Sequence, residues 1–195
     1  MEAGSKVASQ MRAKPAALPG YFYRLTARAQ AIYLRSNHIE RFELIPGRSA
    51  FTTLAALMSA LEGGAPAVVE GGAQTLVNEL CRCLGVRPVR VKVRGVRPRN
   101  SYSELHGIFY PRGAGRRPAT GRATTPSEPL IVLWMRTAQR HDVVKPKTFV
   151  RTLMHELAHY LDYSLLKLGD SYHTAGFFKR ESYLVRMLFQ PAHQP

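Results

Sequence analysis

Cysteine is nearly absent: Cys81 and Cys83 are the only two in 195 residues. They stand one residue apart in a segment with helical periodicity, where neighbouring side chains diverge and cannot bridge, so a disulfide framework is excluded. Nor do they build a zinc ribbon, because Cys81-Arg82-Cys83 is not a CxxC pair and has no second pair to meet. No run approaches the ~18 consecutive apolar residues of a membrane span, and the N-terminal stretch before Pro19-Gly20 lacks the apolar core of a secretory signal. These absences point to a reducing cytoplasm and away from membranes. Acidic residues are scarce too, with 13 Asp and Glu against 28 Lys and Arg, a net charge of +15. Such an excess is typical of chains that meet polyanions, DNA first among them; a coding bias that favours arginine also accounts for it without any ligand.

What is present is globular. Hydrophobic residues make up 45% and charged residues 21%, enough to build a core in a chain that suits one domain of ordinary size. Residues 1–20 have no period and end in Pro19-Gly20, which predicts a disordered basic tail. Residues 21–85 read as a helical region: apolar positions recur at helical spacing from Tyr21 to His38, then over 49–62 and 66–84, the last closed by Gly85. After Gly85 the period shortens to two. Val89 to Arg94 alternates apolar and basic residues, and segments 104–111 and 130–136 are rich in β-branched and aromatic residues, predicting a small mixed sheet. Between the last two lies a basic loop, 112–129, with four arginines, three glycines and three prolines. Residues 146–168 predict one long amphipathic helix and Gly176–Phe189 a final one. The fold class expected is α+β, with a helical N-terminal half and a second, C-terminal domain over 86–195.

The chemistry sits in His155-Glu156-Leu157-Ala158-His159. Four residues are slightly more than one helical turn, so both imidazoles share a face and reach one Zn²⁺, while Glu156 lies about 100° round, placed to act on a metal-activated water as general base. A packed helix has no use for these histidines, since Phe149, Leu153, Leu157, Leu161 and Leu165 already supply the apolar stripe. A catalytic zinc needs a third protein ligand and an open position. Two residues downstream qualify, His173 and Glu181. The metzincin pattern is excluded, because Asp162 and Leu165 occupy the positions of its Gly and third His. Asp162, three residues after His159, is either a solvated acid or the acceptor that orients an imidazole through its free N–H. His38, His106, His141 and His193 have no partner spacing and read as surface residues.

With its HExxH followed by His173-Thr174-Ala175-Gly176-Phe177, the chain resembles the SprT-like zinc metallopeptidases, whose motif continues after a loop with a His that opens an H-G-x-x-F segment. Thr174 replaces the family's usual Gly. The likeness covers roughly residues 100–189 and implies a zincin-like fold, three His ligands with His173 as the third, an intracellular protease acting on protein substrates, and an association with DNA. The mechanism expected is attack of an activated water on a peptide carbonyl, with Glu156 taking the proton and returning it to the leaving amine. The strand at 130–136 is the expected edge that holds an extended substrate, and Tyr172 or Arg180 the candidate oxyanion donor.

Charge is concentrated over residues 82–122, which hold eleven basic residues and one acid. Arg97, Arg99, Arg112, Arg116, Arg117 and Arg122, with Tyr102 and Tyr110 between them, fit either a phosphate-tracking surface or a solvated basic loop. Three functions are thus in play: a zinc endopeptidase acting near nucleic acid, a regulatory protease that cleaves a repressor or toxin partner, and a nucleic-acid-binding protein with a structural zinc.

Overall fold

Every segment with helical periodicity folds as helix in the computed structural model, which describes residues 18–98, 105–111 and 128–190. The first is interrupted: a 3₁₀ turn over Phe22–Arg24 precedes helix α1, Ala27–His38, because Thr26 takes the extended conformation and caps α1 through its Oγ1, which accepts from Ala29 N–H. Helix α2 spans Arg48–Gly63 and ends on Gly64 in the left-handed conformation at φ 69°. Helix α3, Pro66–Cys83, opens on a proline whose missing N–H costs nothing in the first turn. It buries Cys81 and exposes Cys83, and both are free thiols. Helix α4, Pro146–Ser164, is shorter than its apolar pattern suggests. Leu165 and Leu166 both donate back to Leu161 O, and Lys167 turns the chain at φ 53°. Helix α5, Ala175–Phe189, begins one residue early because Thr174 Oγ1 accepts from Phe177 N–H.

Three strands, β1 (Arg90–Val96), β2 (Gly107–Tyr110) and β3 (Leu130–Arg136), form a mixed sheet in the order β1-β3-β2. β1 runs parallel and β2 antiparallel to β3. The strand at 130–136 is therefore the centre of the sheet and not its edge. Its continuous apolar run, Leu130 to Met135, is the mark of a strand covered on both sides, and Ile131 to Met135 are all buried. The edge near the HExxH helix is β2, where the strand is four residues and not the eight of segment 104–111. The opposite edge is occupied by side chains of α3. Gln74 accepts from Val91 N–H at 2.8 Å and donates to Val89 O, and Glu70 accepts from Val93 N–H at 2.9 Å.

One face of the sheet and helices α2 to α5 share a core in which Leu57, Leu61, Leu76, Leu80, Ile131, Leu133, Leu153, Leu157, Leu161 and Phe177 are fully buried. At about 1.5–3 kcal/mol per fully buried large apolar side chain, this core fixes α4 against the sheet. The opposite face of α4 is left for His155, His159 and Tyr163. Among the described residues no helix is long and apolar enough to cross a membrane.

Candidate metal centre

The i, i+4 spacing of His155 and His159 sets their rings edge to face on one side of α4, and the loop after α4 returns His173 to the same point. The three Nε2 atoms lie 3.2, 3.0 and 3.1 Å apart, close enough to hold one metal ion. Beneath them Phe177 forms a floor, its ring centroid 4.5 Å from that of His159 and 5.1 Å from those of His155 and His173. Exposed Phe178 stacks on His173 from outside, with planes 17° apart.

The far side of each helical imidazole determines its tautomer. Glu181 Oε2 sits 3.1 Å from His155 Nδ1, and a carboxylate only accepts, so Nδ1 carries the proton and Nε2 a lone pair. For His159 the chain of donors is longer. Arg180 donates to both Asp162 oxygens at 2.9 and 3.1 Å, which leaves Ser171 Oγ to donate to Asp162 Oδ2 at 2.7 Å. Ser171 Oγ then accepts from His159 Nδ1 at 2.7 Å, and again Nε2 is bare. The lone pairs of His155 and His159, 3.2 Å apart, repel unless a cation or a proton stands between them. Two nitrogen ligands of a tetrahedral ion at about 2.0–2.1 Å lie about 3.3 Å apart, so the donor set fits such an ion.

The other expected site residues stand as follows. The Glu181 carboxylate meets the Nδ1 side of His155, away from the three Nε2 atoms, and also pairs with Arg151 Nε at 3.6 Å. Asp162 is not solvated but fully buried, and reaches His159 through Ser171. Arg180 is no oxyanion donor, because it is fully buried and spends its guanidinium on Asp162, Ser36 and the Ile39 carbonyl. Tyr172 lies against Tyr33, ring centroids 5.9 Å apart, and its phenol is pushed up to about 12 by burial and by Asp170.

Tyr163, and not Tyr172, lines the cleft with the three histidines. It stands four residues after His159, so positions 155, 159 and 163 make one stripe, a spacing that was there to be read. Its phenol donates to Asp170 Oδ1 at 3.0 Å and its ring packs on Phe109. With Gly107, Ile108, Phe109, Pro111, Ser171 and the three histidines it lines a cleft of about 370 Å³, into which Glu156 also opens.

Burial pushes the Glu156 carboxyl up to about 7, against the His155 charge and a backbone hydrogen bond from Phe109 that favour the anion. That value suits a group that takes and returns a proton near neutrality. Burial, with the charges of His155 and His173, holds His159 down to about 3 and likewise lowers His173. Burial also pulls His155 down, but the Glu181 hydrogen bond and the charges of Glu156 and Glu181 outweigh it and the net shift is upward. Glu156 is reached by β2 only because residue 107 is glycine: a Cβ there would lie 2.9 Å from Glu156 Cγ and Oε1 and 2.8 Å from Thr152 Cγ2. A second cavity, about 410 Å³, continues past Glu156 between His106, Thr148, Arg151 and Thr152.

The basic stripe is partly in view. Arg90, Lys92 and Arg94 are exposed along β1, but Arg97 is buried, against His106, and is no part of an exposed phosphate surface. Arg99, Tyr102, Arg112, Arg116, Arg117 and Arg122 lie outside the described residues, as do most of the 112–129 loop and of the 1–20 tail. No family model, curated protein or solved structure matches the chain.

Proposed function

We propose that this protein is a zinc-dependent endopeptidase of zincin-like build. The observation that carries the reading is the convergence of three imidazole nitrogens, two of them bare, beside a buried glutamate, at the mouth of a cleft bounded by a sheet edge. Imidazole donors at tetrahedral spacing suit zinc, and three protein ligands facing a cleft suit a catalytic ion better than a structural one, which takes four. When bound, zinc supplies a Lewis acid that acidifies a water and polarises the scissile carbonyl. Glu156 accepts the proton at its carboxylate and passes it to the leaving amine, a shuttle its raised pKa favours.

β2 supports a peptide as substrate. Its outer edge has no partner strand among the described residues and passes directly over Glu156 at Gly107. An extended peptide added there gains main-chain hydrogen bonds and brings a carbonyl over the metal. The SprT-like resemblance of the HExxH and His173-to-Phe177 segments agrees with this reading. A regulatory protease would use the same site on a particular partner.

The test is cleavage of an unfolded protein such as casein by zinc-loaded enzyme, read by mass spectrometry. Wild type is expected to cut internal bonds, a chelator to stop it, and Glu156→Gln to keep zinc while losing about 10² or more in rate. An active Glu156→Gln protein, or a zinc-loaded wild type that cuts no peptide bond, would overturn the proposal.

A further inference from the structure

Two of the three imidazoles ride on α4, whose core packing is independent of the metal. His173 does not: it stands on the 165–174 segment between α4 and α5, together with Ser171, the partner of His159. That segment is held from outside by α1. Arg35 Nη2 donates to Leu166 O at 2.9 Å, Tyr33 packs on Tyr172, and Ser36 Oγ lies 3.2 Å from Thr174 Oγ1, next to His173.

The closest contact is at the end of α1. Gly176, in the first turn of α5, lies so near the last turn of α1 that a Cβ would strike Ser36 O and sit 2.6 Å from Asn37 O. Arg180, one turn on, fills the remaining space: it donates to Ser36 O at 2.7 Å, to Ser36 Oγ at 2.9 Å and to Ile39 O, and with the same guanidinium holds Asp162. The carbonyl end of α1, the negative end of its dipole, thus meets the cation that orders the Asp162–Ser171–His159 chain. A fully buried Arg–Asp pair needs hydrogen bonds beyond its own, and the end of α1 supplies acceptors for Nη1 and Nη2, while Nε stays unpartnered.

We propose that the C-terminal end of α1 is a working part of the metal centre, and that Ser36, Gly176 and Arg180 are positioning residues that set metal affinity by holding Ser171 and His173 in register with α4. The inference rests on the three-histidine metal site and is independent of the reaction performed there. It joins the helical N-terminal region to the catalytic half, which the sequence reading kept apart at residue 85.

Gly176→Ala drives α1 off α5 without touching a ligand, and Ser36→Ala removes one hydroxyl. Gly71→Ala, at a helical site where a Cβ meets nothing within 4 Å, is the control. Zinc affinity of the full chain is measured by competition with a chromogenic chelator, the visible spectrum of the Co²⁺ form reports coordination geometry, and thermal unfolding of the metal-free protein reports the fold. Gly176→Ala is expected to weaken zinc binding by about 10–100-fold, the usual cost of disturbing the groups behind a ligand, and to alter the Co²⁺ spectrum; Ser36→Ala acts in the same direction and Gly71→Ala not at all. A purely structural role would lower metal-free stability and leave affinity and spectrum of the folded protein unchanged, and that result overturns the proposal. Should Gly176→Ala not fold, Ser36→Ala decides alone: unchanged affinity refutes the inference. A wild type that binds no zinc overturns the metal site itself, and this inference with it.

Discussion

Oε2 of Glu181 lies 3.1 Å from Nδ1 of His155, across the ring from the Nε2 that faces His159 and His173. One acid thereby fixes both the orientation and the tautomer of His155 from the side away from the other two histidines. Glu181→Ala is expected to weaken zinc binding by about 10–100-fold, whereas His173→Ala, which deletes one of three donors, removes stoichiometric zinc at the same chelator concentration. Equal losses, or the reverse order, would move Glu181 into the ligand set.

Gly107 separates strand position from metal binding. Gly107→Ala forces β2 and Glu156 apart, because the new methyl would lie 2.9 Å from the carboxylate. Displacing a substrate strand by about 1 Å costs on the order of 10² in rate. The expectation is a drop in kcat/KM of that size with zinc content unchanged by elemental analysis. A fully active Gly107→Ala enzyme would mean that substrate does not run along β2.

Tyr163 and Tyr172 are distinguished by one hydroxyl each. Tyr163→Phe keeps the ring on Phe109 and loses the phenol, whose one proton would have to leave Asp170 to serve an oxyanion; on that reading a reduction in kcat of about 10², the scale of one lost oxyanion donor, is expected with KM little changed. Tyr172→Phe should leave kcat intact. Steady-state kinetics on one fluorogenic peptide compares the two.

Protons compete with the metal for imidazole, and only His155 competes near neutrality. In the metal-free protein its pKa is raised above the usual 6.5, whereas those of His159 and His173 are lowered. Zinc affinity is therefore constant at high pH and falls as pH drops through the His155 pKa, by about one decade per unit. Removing the carboxylate in Glu181→Gln shifts that break to lower pH. Titrations in a Glu156→Gln background keep the buried glutamate, itself pushed up to about 7, out of the measurement. A slope near three decades per unit would show all three imidazoles titrating together.

The ends of α3 and α5, the strand at 130–136 and the HExxH face of α4 were legible in the sequence because each is a local matter of period, cap or spacing. Position 130–136 was misjudged as an edge for a physical reason: a continuous apolar run already signals cover on both faces, and only the pairing order reveals which strand lies outside it. Arg180 was harder still. Nothing in Lys179-Arg180-Glu181 distinguishes a buried guanidinium from two ordinary surface charges, since its partners Ser36 and Ile39 are more than a hundred residues away. Tyr163, by contrast, could have been found from helical spacing alone.

The side chains of Gln74 and Glu70 along β1 bear on how copies of this protein can associate. With that border stoppered, the sheet extends in one direction only. Two molecules joined border to border through β2 would exhaust each other's capacity at once, giving a closed pair and never a fibre.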